Sequence, residues 1–135
     1  VHSVKQAETA MEAGAQFIVT PGFNPRTVAW CVEHTVPVFP GTATPTDLEL
    51  ALEHGVAVVK FFPAGSLGGV ETLKAYSGPY GGMRFIPTGG LHAGNFSDYL
   101  SLPSVLACGG KWMIKSGDWA ETTRLTAETL KLIGK

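Results

Sequence analysis

The sequence predicts an α/β fold with a parallel sheet covered by helices. Three observations carry this: five short apolar runs that each end in Pro or Gly, their near-regular spacing, and helix-start and helix-stop signals between them. The runs are Phe17-Ile18-Val19-Thr20-Pro21-Gly22, Val36-Pro37-Val38-Phe39-Pro40-Gly41, Val56 to Pro63, Arg84-Phe85-Ile86-Pro87-Thr88-Gly89-Gly90 and Val105-Leu106-Ala107-Cys108-Gly109-Gly110. The prolines that close four of them lie 19, 23 and 24 residues apart, and Gly109 follows 22 later. A unit of that length is one strand plus one helix. Strands are expected near 16–21, 36–40, 56–62, 83–87 and 105–109.

The intervening segments carry helix punctuation. Ser3-Val4-Lys5-Gln6 reads as a capping box, and Gly14 closes that helix. Asn24-Pro25 and Thr44-Pro45-Thr46-Asp47 each supply an N-cap followed by an N1 proline, and Gly55 ends the third helix. Glu71 to Tyr76 and Asn95 to Leu102 are shorter helical segments. Asp118-Trp119-Ala120-Glu121 caps a last helix running towards Ile133.

The order is therefore one helix, then βα five times. An open doubly wound sheet and a (β/α)8 barrel both fit that order. Barrels run to about 250 residues, whereas this chain has 135. On the barrel reading, residues 1–135 are the C-terminal portion of one domain, about the last five βα units. The first residues, Val1-His2-Ser3-Val4, hold no initiator Met, and the opening helix has no strand before it, so front strands are expected to be absent.

Composition narrows the function. The net charge is -1, and the ten basic residues form no run, which argues against nucleic acid or a membrane surface as partner. No apolar stretch nears the roughly 20 residues a membrane helix needs. Cys31 and Cys108 form no CxxC and sit in apolar periodic segments, so both are expected as buried small hydrophobes in a cytoplasmic protein. His2, His34, His54 and His92 show no metal-site spacing.

One residue breaks the strand pattern. In Val56-Ala57-Val58-Val59-Lys60-Phe61-Phe62-Pro63, alternation puts Val58, Lys60 and Phe62 on one face. A lysine there is expected to be largely withdrawn from water. Burial favours its neutral amine, and a neutral amine is what attacks a ketone to form an iminium. The competing reading is a lysine that snorkels to a rim or pairs with a carboxylate. All eleven acids fall on helices, caps or flanks, so no strand carboxylate offers that pairing.

The glycine pairs Gly89-Gly90 and Gly109-Gly110 end the last two runs. Each alone is an ordinary turn signal. Together, on the last two strands, they match the common barrel phosphate site, in which backbone N–H groups converge on an anion. Lys111 follows the second pair and adds a positive charge; the plain alternative is a solvated surface lysine.

These motifs resemble a known family. Lys60-Phe61-Phe62-Pro63-Ala64, Arg84 to Gly90 and Leu106 to Gly110 are similar to 2-keto-3-deoxy-6-phosphogluconate (KDPG) aldolase, also called 4-hydroxy-2-oxoglutarate aldolase; Gly14-Ala15-Gln16-Phe17, Thr20-Pro21-Gly22 and Pro40-Gly41 fit it too. The resemblance implies a homotrimeric (β/α)8 class I aldolase that cleaves KDPG to pyruvate and glyceraldehyde 3-phosphate, without metal or organic cofactor. It implies Lys60 as the Schiff-base lysine and Gly89 and Gly90 as phosphate-binding glycines. Thr88 and Pro21 would line the pocket, and Phe62 would flank the imine. The phosphate is expected against the amides of Gly89, Gly90 and Gly110, with Lys111 in reach. The family usually has serine where this chain has Lys111, which leaves another anionic aldehyde, such as glyoxylate, as an alternative. The resemblance also implies that the general acid/base glutamate belongs to the absent front strands. A non-catalytic phosphate-binding barrel piece is the alternative from another class.

Overall fold

A computed structural model describes residues 1–133. Three helices of nine residues open the chain: α1 (Val4–Glu12), α2 (Pro25–Glu33) and α3 (Pro45–Glu53). They start where the caps predict. The Ser3 hydroxyl accepts from the Gln6 N–H, Asn24 Oδ1 accepts from the Arg26 N–H, and Thr44 and Asp47 form a complete capping box. The box at Ser3 is only half made, because Gln6 Oε1 accepts from the His2 N–H rather than from Ser3 itself.

The strands are shorter than the apolar runs. β1 is Ile18–Val19, β2 is Val38–Phe39, β3 is Gly41–Thr42, β4 is Val58–Phe61 and β5 is Arg84–Pro87. Every strand pair among the described residues is parallel: β1 with β2, β3 with β4, and β4 with β5. β2 and β3 are two halves of the second run, divided at Pro40, which has no N–H to give the ladder. The first half pairs with β1 in a two-stranded sheet and the second with β4 in a three-stranded one, so the expected run order holds across the two.

The fifth run differs from expectation. It is held to β5 by two isolated parallel bridges, Phe85 to Val105 and Thr88 to Gly109, rather than by a regular strand. The N–H of Leu106 donates to the Phe85 carbonyl and that of Gly109 to the Pro87 carbonyl, so three residues of one side span two of the other. The extra residue breaks the ladder as a bulge does.

Between the later runs lie α4 (Gly69–Tyr76) and α5 (Phe96–Leu100), with α6 (Trp119–Leu132) at the end. The core lies between the helices and one face of the sheet. It holds Ile18, Val38, Val59, Phe61 and Phe85 from the strands, and Val28, Cys31, Leu48, Leu73 and Phe96 from the helices. Strand alternation leaves the other face uncovered by any described element. Phe17 and Val19 are exposed on it, and Val58, Lys60, Phe62 and Ile86 are half-buried. Cys31 is buried as expected, but Cys108 is only partly so. α6 contributes no fully buried residue.

Candidate active site

Lys60 sits in the middle of the longest pairing in the sheet. Its backbone N–H donates to the Pro40 carbonyl, its carbonyl accepts from the Thr42 hydroxyl, and its register partners are Gly41 and Ile86. The amine is therefore carried on a rigid base. The expectation that it would be largely withdrawn from water needs correction. Lys60 is half-buried, because nothing among the described residues covers its face of the sheet. Desolvation nevertheless holds its ammonium below the usual lysine range. No ion pair to Lys60 occurs among the described residues, and its Nζ lies 4.5 Å from the centre of the Phe62 ring.

A cavity of about 770 Å³ opens over this amine. It brings together most of the residues singled out from sequence: Lys60, Phe62, Thr88, Gly89, Gly90, Gly110 and Lys111. No carboxylate is among its lining residues. Pro21 is not brought there. It lines a separate depression with Thr20, Gly22 and Asn24 at the end of β1, a strand away from β4.

The two glycine loops stand side by side because Thr88 bridges to Gly109. Among the described residues, the N–H groups of Gly89, Gly90 and Gly110 donate to no protein acceptor, whereas that of Gly109 is spent on the Pro87 carbonyl. Gly89 and Gly90 both take left-handed backbone angles, φ +84° and +82°, which explains glycine at both positions. Their loop is pinned from below. The Gly65 N–H donates to the Gly89 carbonyl at 2.9 Å, and the Asn95 side chain donates to the Gly90 carbonyl at 3.1 Å. Lys111 is exposed at the rim. Thr88 Oγ1 is buried within the wall and has no hydrogen-bond partner among the described residues. His92 spends its ring nitrogen on the Gly94 N–H and does not line the cavity.

Two contributors were not singled out from sequence. Trp112 closes one side of the cavity, stacked on Phe96 and donating from its indole N–H to Thr129. Gly65 approaches Gly90 so closely that a Cβ on it would lie 3.2 Å from the Gly90 Cα. The only sequence signals were an aromatic two residues past a glycine pair and a glycine two residues past Pro63. Among the described residues no cluster of three metal-ligating side chains exists.

The family model for KDPG and KHG aldolase matches residues 1–125. The chain belongs to the KDPG and KHG aldolase family. A relative named 2-dehydro-3-deoxy-phosphogluconate aldolase, from Treponema pallidum, is 51% identical over 99% of this chain and 66% of its own length. The KDPG aldolase of Zymomonas mobilis, solved with 3-phosphoglycerate, superposes with a TM-score of 0.93 at 36% identity, over 96% of this chain and 63% of that one. The KDPG aldolase of Legionella pneumophila, with pyruvate captured at low pH as a covalent carbinolamine, superposes with a TM-score of 0.92 at 33% identity, over 96% and 65%. This chain thus spans just under two thirds of the length of these aldolase relatives.

Proposed function

We propose that this chain carries the Schiff-base and anion-binding parts of an aldolase that cleaves KDPG to pyruvate and glyceraldehyde 3-phosphate. One observation carries the reading: a strand lysine with a lowered pKa and no ion partner faces the same cavity as two glycine loops with unspent N–H groups. In this reading the neutral Lys60 amine adds to the keto carbon, and the carbinolamine loses water to give an iminium. The C4 hydroxyl then gives up its proton and the adjacent carbon–carbon bond breaks. Its electron pair passes into the iminium, leaving an enamine and releasing the aldehyde. Protonation of the enamine and hydrolysis by water free pyruvate and restore the amine. Gly89, Gly90 and Gly110 hold the phosphate through their N–H groups, with Lys111 beside them. Thr88 and Phe62 line the keto-acid end.

The proton transfers need an acid/base group, and such assistance is typically worth about 10²–10⁴-fold in rate. With no carboxylate lining the cavity, we propose that this group comes from another segment that completes a (β/α)8 barrel. Residues 1–135 then supply about five βα units, as the run order supports. A cytoplasmic homotrimer is the assembly the family resemblance supports. The same mechanism on 4-hydroxy-2-oxoglutarate is the second reading, favoured by the exposed cation at Lys111, which suits more than one anionic aldehyde.

Borohydride reduction in the presence of pyruvate, followed by mass measurement of the intact chain, tests the proposal. One pyruvate-derived adduct on Lys60, absent from Lys60→Ala, is the expected result. A chain that takes up phosphate but is never trapped would point instead to a non-catalytic anion binder.

A further inference from the structure

Phe62 directly follows β4, two residues after Lys60, and its N–H still donates to the Thr42 carbonyl, so the two side chains share a face of the sheet. The Nζ of Lys60 lies over the Phe62 ring, 4.5 Å from its centre, within the range where an aromatic face attracts a cation. The same ring packs close to the anion loop. A Cβ on Gly89 would lie 3.0 and 3.1 Å from two ring carbons of Phe62. The ring thus neighbours both the amine and the first glycine pair.

Among the described residues, no counter-charge faces Lys60. The charged side chain that shares its cavity is Lys111, a like charge. β5 presents Arg84 on the same face, in register with Val58, again positive. β3 presents Gly41 and Thr42, neither of them charged. Among the described residues no carboxylate or histidine lines the cavity. The π face of Phe62 is the favourable surface that lies against the Lys60 Nζ.

We propose that Phe62 is a positioning residue whose ring face holds the Lys60 amine and stabilises positive charge at its nitrogen, both as ammonium and as the iminium that forms there. The ring offsets part of the desolvation that favours the neutral amine. The ring therefore favours the ammonium at rest, and it supports the cation that forms after dehydration without a carboxylate beside it. Gly89 is glycine partly because this ring occupies the space a side chain would need. The iminium half of the proposal rests on the aldolase reading; the ammonium half does not.

The test is a series of singly, doubly and triply fluorinated phenylalanines placed at position 62 alone. Fluorine drains charge from the ring face while nearly keeping its shape. Lys60 reactivity is read by acetic anhydride labelling across pH, with mass measurement of the Lys60 peptide. Each added fluorine is expected to move the labelling profile to lower pH, and the full series to raise labelling at neutral pH by about two- to fivefold. Pyruvate trapping by borohydride on the same proteins is expected to fall stepwise. Phe62→Tyr should behave as the parent and Phe62→Leu as the most fluorinated member. A labelling profile indifferent to fluorine overturns the proposal, whatever the trapping shows. A profile that shifts in a protein that is never trapped leaves Phe62 acting on the ammonium and removes the aldolase reading instead.

Discussion

At the residue scale, the chemistry turns on a cation placed where the fold prefers a neutral group. Lys60 has a folded-state pKa below the ordinary lysine value of 10.5, with desolvation as the cause. Below its folded pKa, the folded chain bears the full cost of keeping the ammonium on a half-buried strand. As pH rises from that pKa towards 10.5, the unfolded chain retains protons that the folded chain has already lost, so folding becomes more favourable. Lys60→Met is accordingly expected to be more stable than the parent at neutral pH. That advantage should shrink as pH rises through the same window, read by urea denaturation at several pH values. A constant difference would show that packing, not charge, separates the two. Lys111 is the opposite case, an exposed cation whose worth is reduced by solvent screening. Lys111→Ser is expected to weaken binding of inorganic phosphate about fivefold in a phosphorus NMR titration, and less at high salt. Unaltered binding would remove Lys111 from the anion site.

At the scale of elements, the first three helices are built alike and differ at one residue. α1, α2 and α3 each end with the same pair of hydrogen bonds beyond the cap. Gly14, Thr35 and Gly55 donate to Met11, Val32 and Leu52, and the next residues donate to Ala10, Cys31 and Ala51. This is the Schellman pattern, which needs a left-handed residue at the first of those positions. Gly14 and Gly55 adopt φ +91° and +70° without cost, whereas Thr35 is forced to +57° with a β-branched side chain. Thr35→Gly is expected to stabilise the chain by about 1 kcal/mol, offset in part by the greater freedom glycine gives the unfolded state. Thermal denaturation of the two proteins checks this, and a lower midpoint for the glycine variant would refute it. The glycines past α1 and α3 were legible in the sequence as helix stops. The equivalent end of α2 was not, because threonine is not a residue that left-handed backbone selects.

At the scale of the whole molecule, one sheet face has helices and the other has none among the described residues. Phe17 and Val19 are 53% and 37% exposed there, on and beside β1. Exposed apolar area and unsatisfied strand edges favour association. Sedimentation velocity of this chain is expected to show concentration-dependent self-association, which the double change Phe17→Lys and Val19→Lys reduces without altering the circular dichroism spectrum. A wild-type chain that stays monomeric at high concentration would contradict this. In the proposed barrel the same face becomes the interior, so the double variant should then prevent closure.

The sequence by itself determined the parallel α/β order and the starts of the first three helices, and it marked Lys60 and the glycine pairs that the fold brings to one cavity. Those features are written locally: an N-cap lies within four residues of the amide it caps, and a lysine between valines and phenylalanines stands out without any tertiary contact. The family was also legible, because its motifs are short and contiguous. Tertiary structure alone decided how far each strand pairs, since pairing depends on the neighbour's carbonyls: Pro40 splits one strand in two, and the fifth run bulges against β5. It also decided which residues meet. Pro21 went to a different depression, while Trp112 and Gly65 joined the site through contacts that no local pattern encodes. Lys60 is half-buried rather than enclosed for the same reason: alternation says which face a side chain takes, but only the elements packed on that face decide how much water it sees.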